Sequence, residues 1–309
     1  MPVVETVNLT KKYNGFTAVD NLNLSIEEGE IFGFLGPNGA GKTTTILMLL
    51  GLTEPTSGVA HIGGFDSTRE PLKVKRISGY IPEHVGFYDD LSAIENLSYT
   101  ARLNGLPEAV LQGKIIEVLK IVGLADVSGN SVKTYSRGMK QRLAIADILV
   151  KTPKVAFLDE PTSGIDPKGV SEMLDLIRKI SREQKMTVVL CSHQLAQVQR
   201  ICTRVGIIAK GQLVVQGTME ELTSKAMGVP KVIVELQLEE MKPKIIEAIK
   251  KINGVEKVEQ SEDILLITCA SDQRPKIHRA IVENDGSLIA MKVRKSELED
   301  IYMKYFREG

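Results

Sequence analysis

The chain has no stretch approaching the roughly 18 consecutive apolar residues of a membrane-spanning helix. Its first residues, Met1 to Thr10, lack a basic segment followed by an apolar one. These absences predict a cytoplasmic protein, or one held at a membrane through another polypeptide. An excess of one charge is missing too: 39 Lys and Arg face 39 Asp and Glu, so no global field draws nucleic acid and no nucleic-acid partner is expected. Cysteine is scarce. Cys191, Cys202 and Cys269 sit in apolar or β-like surroundings without CxxC spacing, which argues against a zinc framework or a disulfide scaffold and for reduced core thiols. No longer internal repeat and no low-complexity tract interrupts the 309 residues, enough to bury a full α/β core and best divided into one large domain and one small.

What is present is patterning. Val3 to Leu9 and Leu22 to Ile26 read as β-segments around the polar turn Asn14-Gly15, an antiparallel edge. The apolar run Ile31 to Leu35 ends in Gly36-Pro37-Asn38-Gly39, and an apolar stretch from Thr44 follows: strand, tight loop, helix. Residues 85–150 turn helical, with apolar residues at helical spacing over Ala93 to Leu103, Ala109 to Val122 and Arg137 to Val150, a helical subdomain. Val155 to Leu158, Gly169 to Ser181 and Thr187 to Cys191 then supply strand-helix-strand units of a mostly parallel sheet.

After Gly217 the character changes, and Ala226 to Pro230 marks a boundary between domains of residues 1–227 and 228–309. In the second, Lys231 to Gln237, Val255 to Gln260, Ile264 to Thr268 and Leu288 to Val293 are β-like, while Pro243 to Ile252 and Pro275 to Glu283 are helical. That is the β-α-β-β-α-β order of a small ferredoxin-like α+β unit. A last helix, Ser296 to Phe306, opens with Ser296 and Glu299 at capping-box spacing.

The chemistry is concentrated in four places. Gly36-Pro37-Asn38-Gly39-Ala40-Gly41-Lys42-Thr43, continued by Thr44, matches the P-loop pattern between a strand and a helix. Glycines let backbone N–H groups face phosphates, the helix start adds a favourable dipole, Lys42 suits the β and γ phosphates of ATP, and Thr43 offers its hydroxyl to Mg²⁺. Asp159-Glu160 follow the buried run Val155 to Leu158, at the carboxyl end of a strand where α/β sheets bind ligands. Asp159 suits Mg²⁺ directly or through water; Glu160, one residue on, suits a general base for water. Ser192-His193 reach the same sheet edge, His193 as a donor to the γ-phosphate or as an ordinary structural histidine. Ser136 is an apt N-cap for a helix with the apolar stripe Met139, Leu143, Ala146 and Val150; a capped helix start presents N–H groups to an anion, or simply begins a helix.

In that order, the P-loop, Tyr135-Ser136-Arg137-Gly138-Met139-Lys140-Gln141-Arg142, Leu158 to Asp166 and Ser192-His193 resemble the ABC transporter ATPases over roughly residues 3–220. The resemblance implies an α/β P-loop NTPase core with an antiparallel β edge, a helical subdomain, and ATP hydrolysis with Mg²⁺. It makes Ser136, Arg137, Gly138 and Met139 the signature motif, Ser163 to Asp166 the D-loop, His193 the switch histidine and Tyr13 the adenine-stacking aromatic. Tyr13 beside a turn could also be mere edge packing. In the family the signature meets the γ-phosphate held by another subunit, so a head-to-tail dimer with a second copy or a related subunit is implied.

Two positions depart from the common family pattern. Glu83 stands in Gly79-Tyr80-Ile81-Pro82-Glu83 where Gln is frequent; it can ligate Mg²⁺ but cannot donate a hydrogen bond. Arg137 replaces a glycine and adds charge near the phosphate. With the ending Leu298-Glu299-Asp300-Ile301-Tyr302, these variants are similar to the drug-resistance and antibiotic exporter subfamily, which implies a motor coupled to a separate transmembrane permease at the cytoplasmic face of the membrane. The alternative is a soluble, non-transport ABC ATPase. Relatives of that kind pair two cassettes or insert long coiled coils, and this chain has neither pattern. A regulator without catalysis is disfavoured by Lys42, Asp159, Glu160 and His193 occurring together.

Overall fold

Strand β1 (Pro2–Tyr13) and strand β2 (Phe16–Leu22) are joined by Asn14 and Gly15 at φ 44° and 88°, the two left-handed residues that a two-residue hairpin turn requires. These strands replace the expected segments Val3 to Leu9 and Leu22 to Ile26: the first strand runs on to Tyr13, and the second segment is split between a strand ending at Leu22 and another starting at Ser25. Pairing of Lys11 with Val19 and Tyr13 with Phe16 carries the strand on past an irregular register. Strand β3 (Ser25–Glu27) also pairs with β1, as does β5 (Ser57–Ile62), which in turn pairs with β6 (Phe65–Asp66) to complete an antiparallel sheet.

Between β3 and β5 lie β4 (Ile31–Leu35), buried at every residue, and helix α1 (Lys42–Leu49). Continuous burial of this kind demands sheet neighbours on both sides and layers on both faces. The central sheet supplies them in the order β11-β10-β4-β9-β8-β7, parallel throughout except for the antiparallel β10–β11 pair. Its other strands are β7 (Ser78–Ile81), β8 (Val155–Asp159), β9 (Thr187–Ser192), β10 (Arg204–Ala209) and β11 (Gln212–Gly217). Helices α2 (Pro71–Ile77), α6 (Pro167–Gln184) and α7 (Leu195–Ile201) accompany it. Phe32, Phe34, Phe157, Val189 and Ile46 pack into one core with Leu9, Leu22 and Ile26 of the antiparallel sheet. Each such side chain contributes about 1.5–3 kcal/mol on burial.

The helical stretch is α3 (Ala93–Leu103), α4 (Glu108–Ile121) and α5 (Arg137–Leu149), within a residue or so of the periodicity. Helix α3 starts with a complete capping box between Ser92 and Glu95.

The computed structural model describes residues 2–222, 232–261 and 263–294, and the chain divides into two compact units, Met1–Thr218 and Met219–Gly309. The expected boundary at Ala226 to Pro230 and the expected helix from Ser296 to Phe306 lie outside the described residues. In the second unit β12 (Val232–Leu238), α8 (Pro243–Lys250), β13 (Val255–Ser261), β14 (Ile264–Cys269), α9 (Arg274–Glu283) and β15 (Leu288–Arg294) follow one another. The strands form an antiparallel sheet, β13-β14-β12-β15. Alternate residues Val234, Leu236, Leu265 and Ile267 meet Ile245, Ile249, Ile277 and Ile281 of the helices in a core of their own.

Candidate nucleotide-binding and catalytic site

The loop after β4 is shaped by glycine where nothing else fits. A Cβ on Gly36 would stand 2.4 Å from the Ile208 carbonyl, and one on Gly41 2.5 Å from the Ala18 carbonyl, with Gly41 also at φ 107° where it caps α1. Lys42 is only 7 % exposed, and its Nζ donates to the carbonyls of Gly36 at 2.7 Å and Pro37 at 3.1 Å, so the ammonium sits over the loop. A cavity of about 400 Å³ opens beside it, lined by Asn38, Gly39, Ala40, Gly41, Lys42, Thr43 and Thr44 together with Tyr13, Phe16, Ala18, Glu83, Asp159 and Glu160. Thr43 and Asp159, 116 positions apart, thus share one cleft because β4 and β8 both end there, each paired with β9.

Thr43 Oγ1 donates to Asp159 Oδ2 at 2.7 Å. Burial pushes the Asp159 carboxyl above its usual range; the Thr43 bond pulls it down, while the charges of Glu160 and Glu83 raise it further. Nearby, burial and the Asp159 charge push the Tyr80 hydroxyl up to about 12, keeping it protonated. Glu160 is 6 % exposed and adopts φ 49°, left-handed for a residue with a Cβ, a strain of about 1–3 kcal/mol. Its own N–H donates to Cys191 O at 3.0 Å and its carbonyl accepts from Ser163, which locks the turn. Glu160 Oε1 accepts from the His193 backbone N–H at 2.9 Å and lies 2.8 Å from His193 Nδ1; Oε2 accepts from Ser192 Oγ at 3.3 Å.

Helix α5 begins as the sequence requires, with Ser136 Oγ accepting from Met139 N at 3.3 Å. Ser136, Arg137, Gly138 and Met139 line a different cavity, of about 660 Å³, together with Gly164, Ile165 and Asp166. Ser136 to Met139 and the loop after β4 thus line separate cavities in one chain. The Arg137 guanidinium lies against Ser163 and Gly164 of the same chain.

Sequence reasoning missed Phe16 and Ala18. Phe16 is 64 % exposed and pairs with Tyr13 (44 %) across the hairpin, so two aromatic rings flank the cleft where one was expected. The signal was present in the symmetry of Tyr13-Asn14-Gly15-Phe16 about its turn.

The ABC transporter family profile matches residues 19–163. The bacitracin transport ATP-binding protein of Bacillus licheniformis is 35% identical over 307 residues, 99% of this chain and 98% of that protein. The daunorubicin/doxorubicin resistance ATP-binding protein of Streptomyces peucetius is 39% identical over 72% of this chain and 67% of its own length. Among solved structures, the cbiO1 subunit of a Clostridium perfringens ABC transporter complex superposes with TM-score 0.67 at 29% identity, covering 72% of this chain and 91% of that one. A dimeric ATP-binding cassette in a post-hydrolysis state with ADP and Pi gives TM-score 0.64 at 26% identity, covering 70% and 98%. Likeness along nearly the full length of both proteins shows the family: this chain belongs to the ABC transporter ATP-binding proteins, a family that hydrolyses ATP.

Proposed function

We propose that the chain is the motor subunit of an exporter-type ABC transporter, in which ATP closes a head-to-tail dimer, hydrolysis reopens it, and the movement drives a separate transmembrane permease. The observation that carries the catalytic reading is the buried, strained Glu160 held by Ser192 and His193 beside Lys42 and the Thr43–Asp159 pair. Tyr13, with Phe16, offers a ring face to adenine. The amides from Gly36, Pro37, Asn38, Gly39, Ala40 and Gly41 onward through Thr44 face phosphate, and Lys42 adds a point charge there. Glu160 takes the proton of the attacking water, and His193 lies next to it to contact the γ-phosphate.

The cleft suits Mg²⁺. Thr43, Asp159 and Glu83 supply hard oxygen donors, and the mutual repulsion of Asp159, Glu160 and Glu83 is relieved by a divalent cation. Among the described residues no three acidic, imidazole or thiol groups converge into a cage. ATP phosphates and water would complete the sphere, which is how Mg²⁺ is commonly held in nucleotide sites. When bound, the ion neutralises phosphate charge.

The signature residues Ser136 to Met139 act on ATP held by a partner subunit, which their separation from the P-loop in one chain supports. No helix among the described residues is long and apolar enough to cross a membrane, in keeping with a subunit docked at the cytoplasmic face through its permease. The transport and resistance functions named for its relatives favour this over a soluble, non-transport ABC ATPase. The unit after Thr218 has no phosphate loop, and its role is accessory: pairing subunits or supporting the cassette. Affinity isolation from detergent-solubilised membranes, followed by mass spectrometry, tests the assignment. A stoichiometric integral-membrane partner is expected, and recovery with ribosomes or DNA instead would overturn it.

A further inference from the structure

The D-loop and the signature helix of one chain touch through a contact built on an arginine and a glycine. A Cβ placed on Gly164 would stand 2.4, 2.5 and 2.8 Å from Nη1, Cζ and Nε of Arg137. Three guanidinium atoms at nearly equal distance mean that the planar group lies face-on over the one side of Gly164 where any other residue carries its side chain. Arg137 Nη2 also donates to Ser163 Oγ at 3.4 Å. Gly164 is at φ 70°, a conformation in which glycine is at ease and other residues are strained. The loop is held from its other end as well, through Ser163 N to Glu160 O at 3.0 Å and Ile165 N to Thr162 O at 3.2 Å. Arg137 therefore bridges the first residue of α5 to the loop that follows the catalytic strand.

We propose that Arg137 is a positioning residue that clamps the Ser163-Gly164 loop of its own chain to the start of the signature helix, so that both are presented to a partner subunit's ATP as one rigid edge. This rests on the signature acting in trans, as above. A guanidinium suits the task because it is flat and rigid; an ammonium carries the same charge but cannot cover Gly164. The clamp adds no contact with nucleotide bound in the same chain. Its loss misplaces the edge during turnover without weakening binding to the P-loop.

The test uses the full chain and four variants, Arg137→Lys, Arg137→Gly, Gly164→Ala and the combination of the last two, with Glu160→Gln as a control. For each, kcat, KM for ATP, direct ATP affinity and the melting temperature are measured. Arg137→Lys is expected to lower kcat by about tenfold with KM within about twofold. Gly164→Ala should lower kcat comparably alone, but far less on top of Arg137→Gly, because the clash is then gone and only the backbone strain remains. The same non-additivity should appear in the melting temperature, which does not depend on chemistry. Full turnover in Arg137→Lys, with Arg137→Gly raising KM, would make Arg137 a charge acting on ATP and overturn the clamp. Independent effects of Arg137→Gly and Gly164→Ala in both readouts would overturn it too. Non-additive melting with kcat unmoved would keep the contact and reject its role in turnover, while an unaffected Glu160→Gln control would strike the catalytic reading alone.

Discussion

Glu160 and His193 are joined twice, with Oε1 accepting the His193 backbone N–H at 2.9 Å and lying 2.8 Å from the ring Nδ1. An ionised carboxylate can only accept, so a ring that hydrogen-bonds to it does so through an N–H on Nδ1. The backbone bond fixes the carboxylate whatever the ring does.

Glu160→Gln therefore keeps its acceptor for the His193 N–H but loses the ability to take a proton. Turnover should fall by at least about tenfold while ATP binding persists. Size-exclusion chromatography with ATP should show an accumulated dimer. Near-normal hydrolysis would remove Glu160 from the role of base.

Lys42→Ala removes the charge over the loop and the two bonds that its Nζ makes to Gly36 and Pro37. A loss of about 1.5–3 kcal/mol in ATP binding is expected for a hydrogen-bonding charged group, or about a tenfold to hundredfold rise in Kd. Titration of the purified variant with nucleotide measures it, and an unchanged affinity would contradict the P-loop assignment.

The raised Asp159 carboxyl predicts a pH dependence of stability. A carboxyl whose folded pKa lies above its unfolded value binds protons more tightly in the folded state. Its favourable contribution is thus complete below the ordinary carboxylate range and disappears as pH rises through the raised folded value. Asp159→Asn should abolish that decline and, without nucleotide or metal, melt higher than the native protein at neutral pH. Melting curves between pH 4 and 8 check the sign; parallel curves for the two proteins would refute it.

Because Ser136 and Lys42 line separate cavities in one chain, a subunit with Ser136→Arg mixed with one carrying Lys42→Ala should regain about one working site per heterodimer, although each variant alone is nearly inactive. ATPase assays on tagged, purified heterodimers decide it. Inactive heterodimers would argue against a signature that works across the interface.

A chain ending at Met227 should fold and bind ATP, since among the described residues the cassette core is built from residues before Thr218, but should assemble less readily into dimers or with its permease. Circular dichroism, nucleotide titration and sedimentation separate these effects. A folded fragment without affinity for ATP would mean that the C-terminal unit helps to build the cleft.

The elements that were legible before any coordinates are those whose burial has a single period. Helices α3, α4 and α5 and the six elements of the second unit fall close to their expected spans because one face of each packs on one core. Strands β5, β6, β7, β10 and β11 and helices α2 and α7 were not anticipated. Ser57–Ile62 mixes exposed and buried residues without alternation, and Ser78–Ile81 offers only four residues, so neither carries enough pattern to be read. The site was legible where identity alone dictates chemistry, as with Lys42, Asp159 and Glu160. Phe16 was not, because an exposed aromatic beside a turn carries no apolar period of its own, and only the hairpin sets it opposite Tyr13 at the cleft. The face-on contact of Arg137 with Gly164 is a fact of shape that no spacing encodes.

Cys191 pairs in register with Asp159 at the end of β8 and is fully buried, and burial holds its thiol far from ionisation. A maleimide or an oxidant thus meets no thiolate until β9 swings away from its neighbours. The residue behaves as a built-in clock for the opening of the catalytic strands: the rate at which it is labelled counts how often the sheet parts beneath the nucleotide, and slower labelling with ATP would time how firmly the substrate keeps that sheet shut.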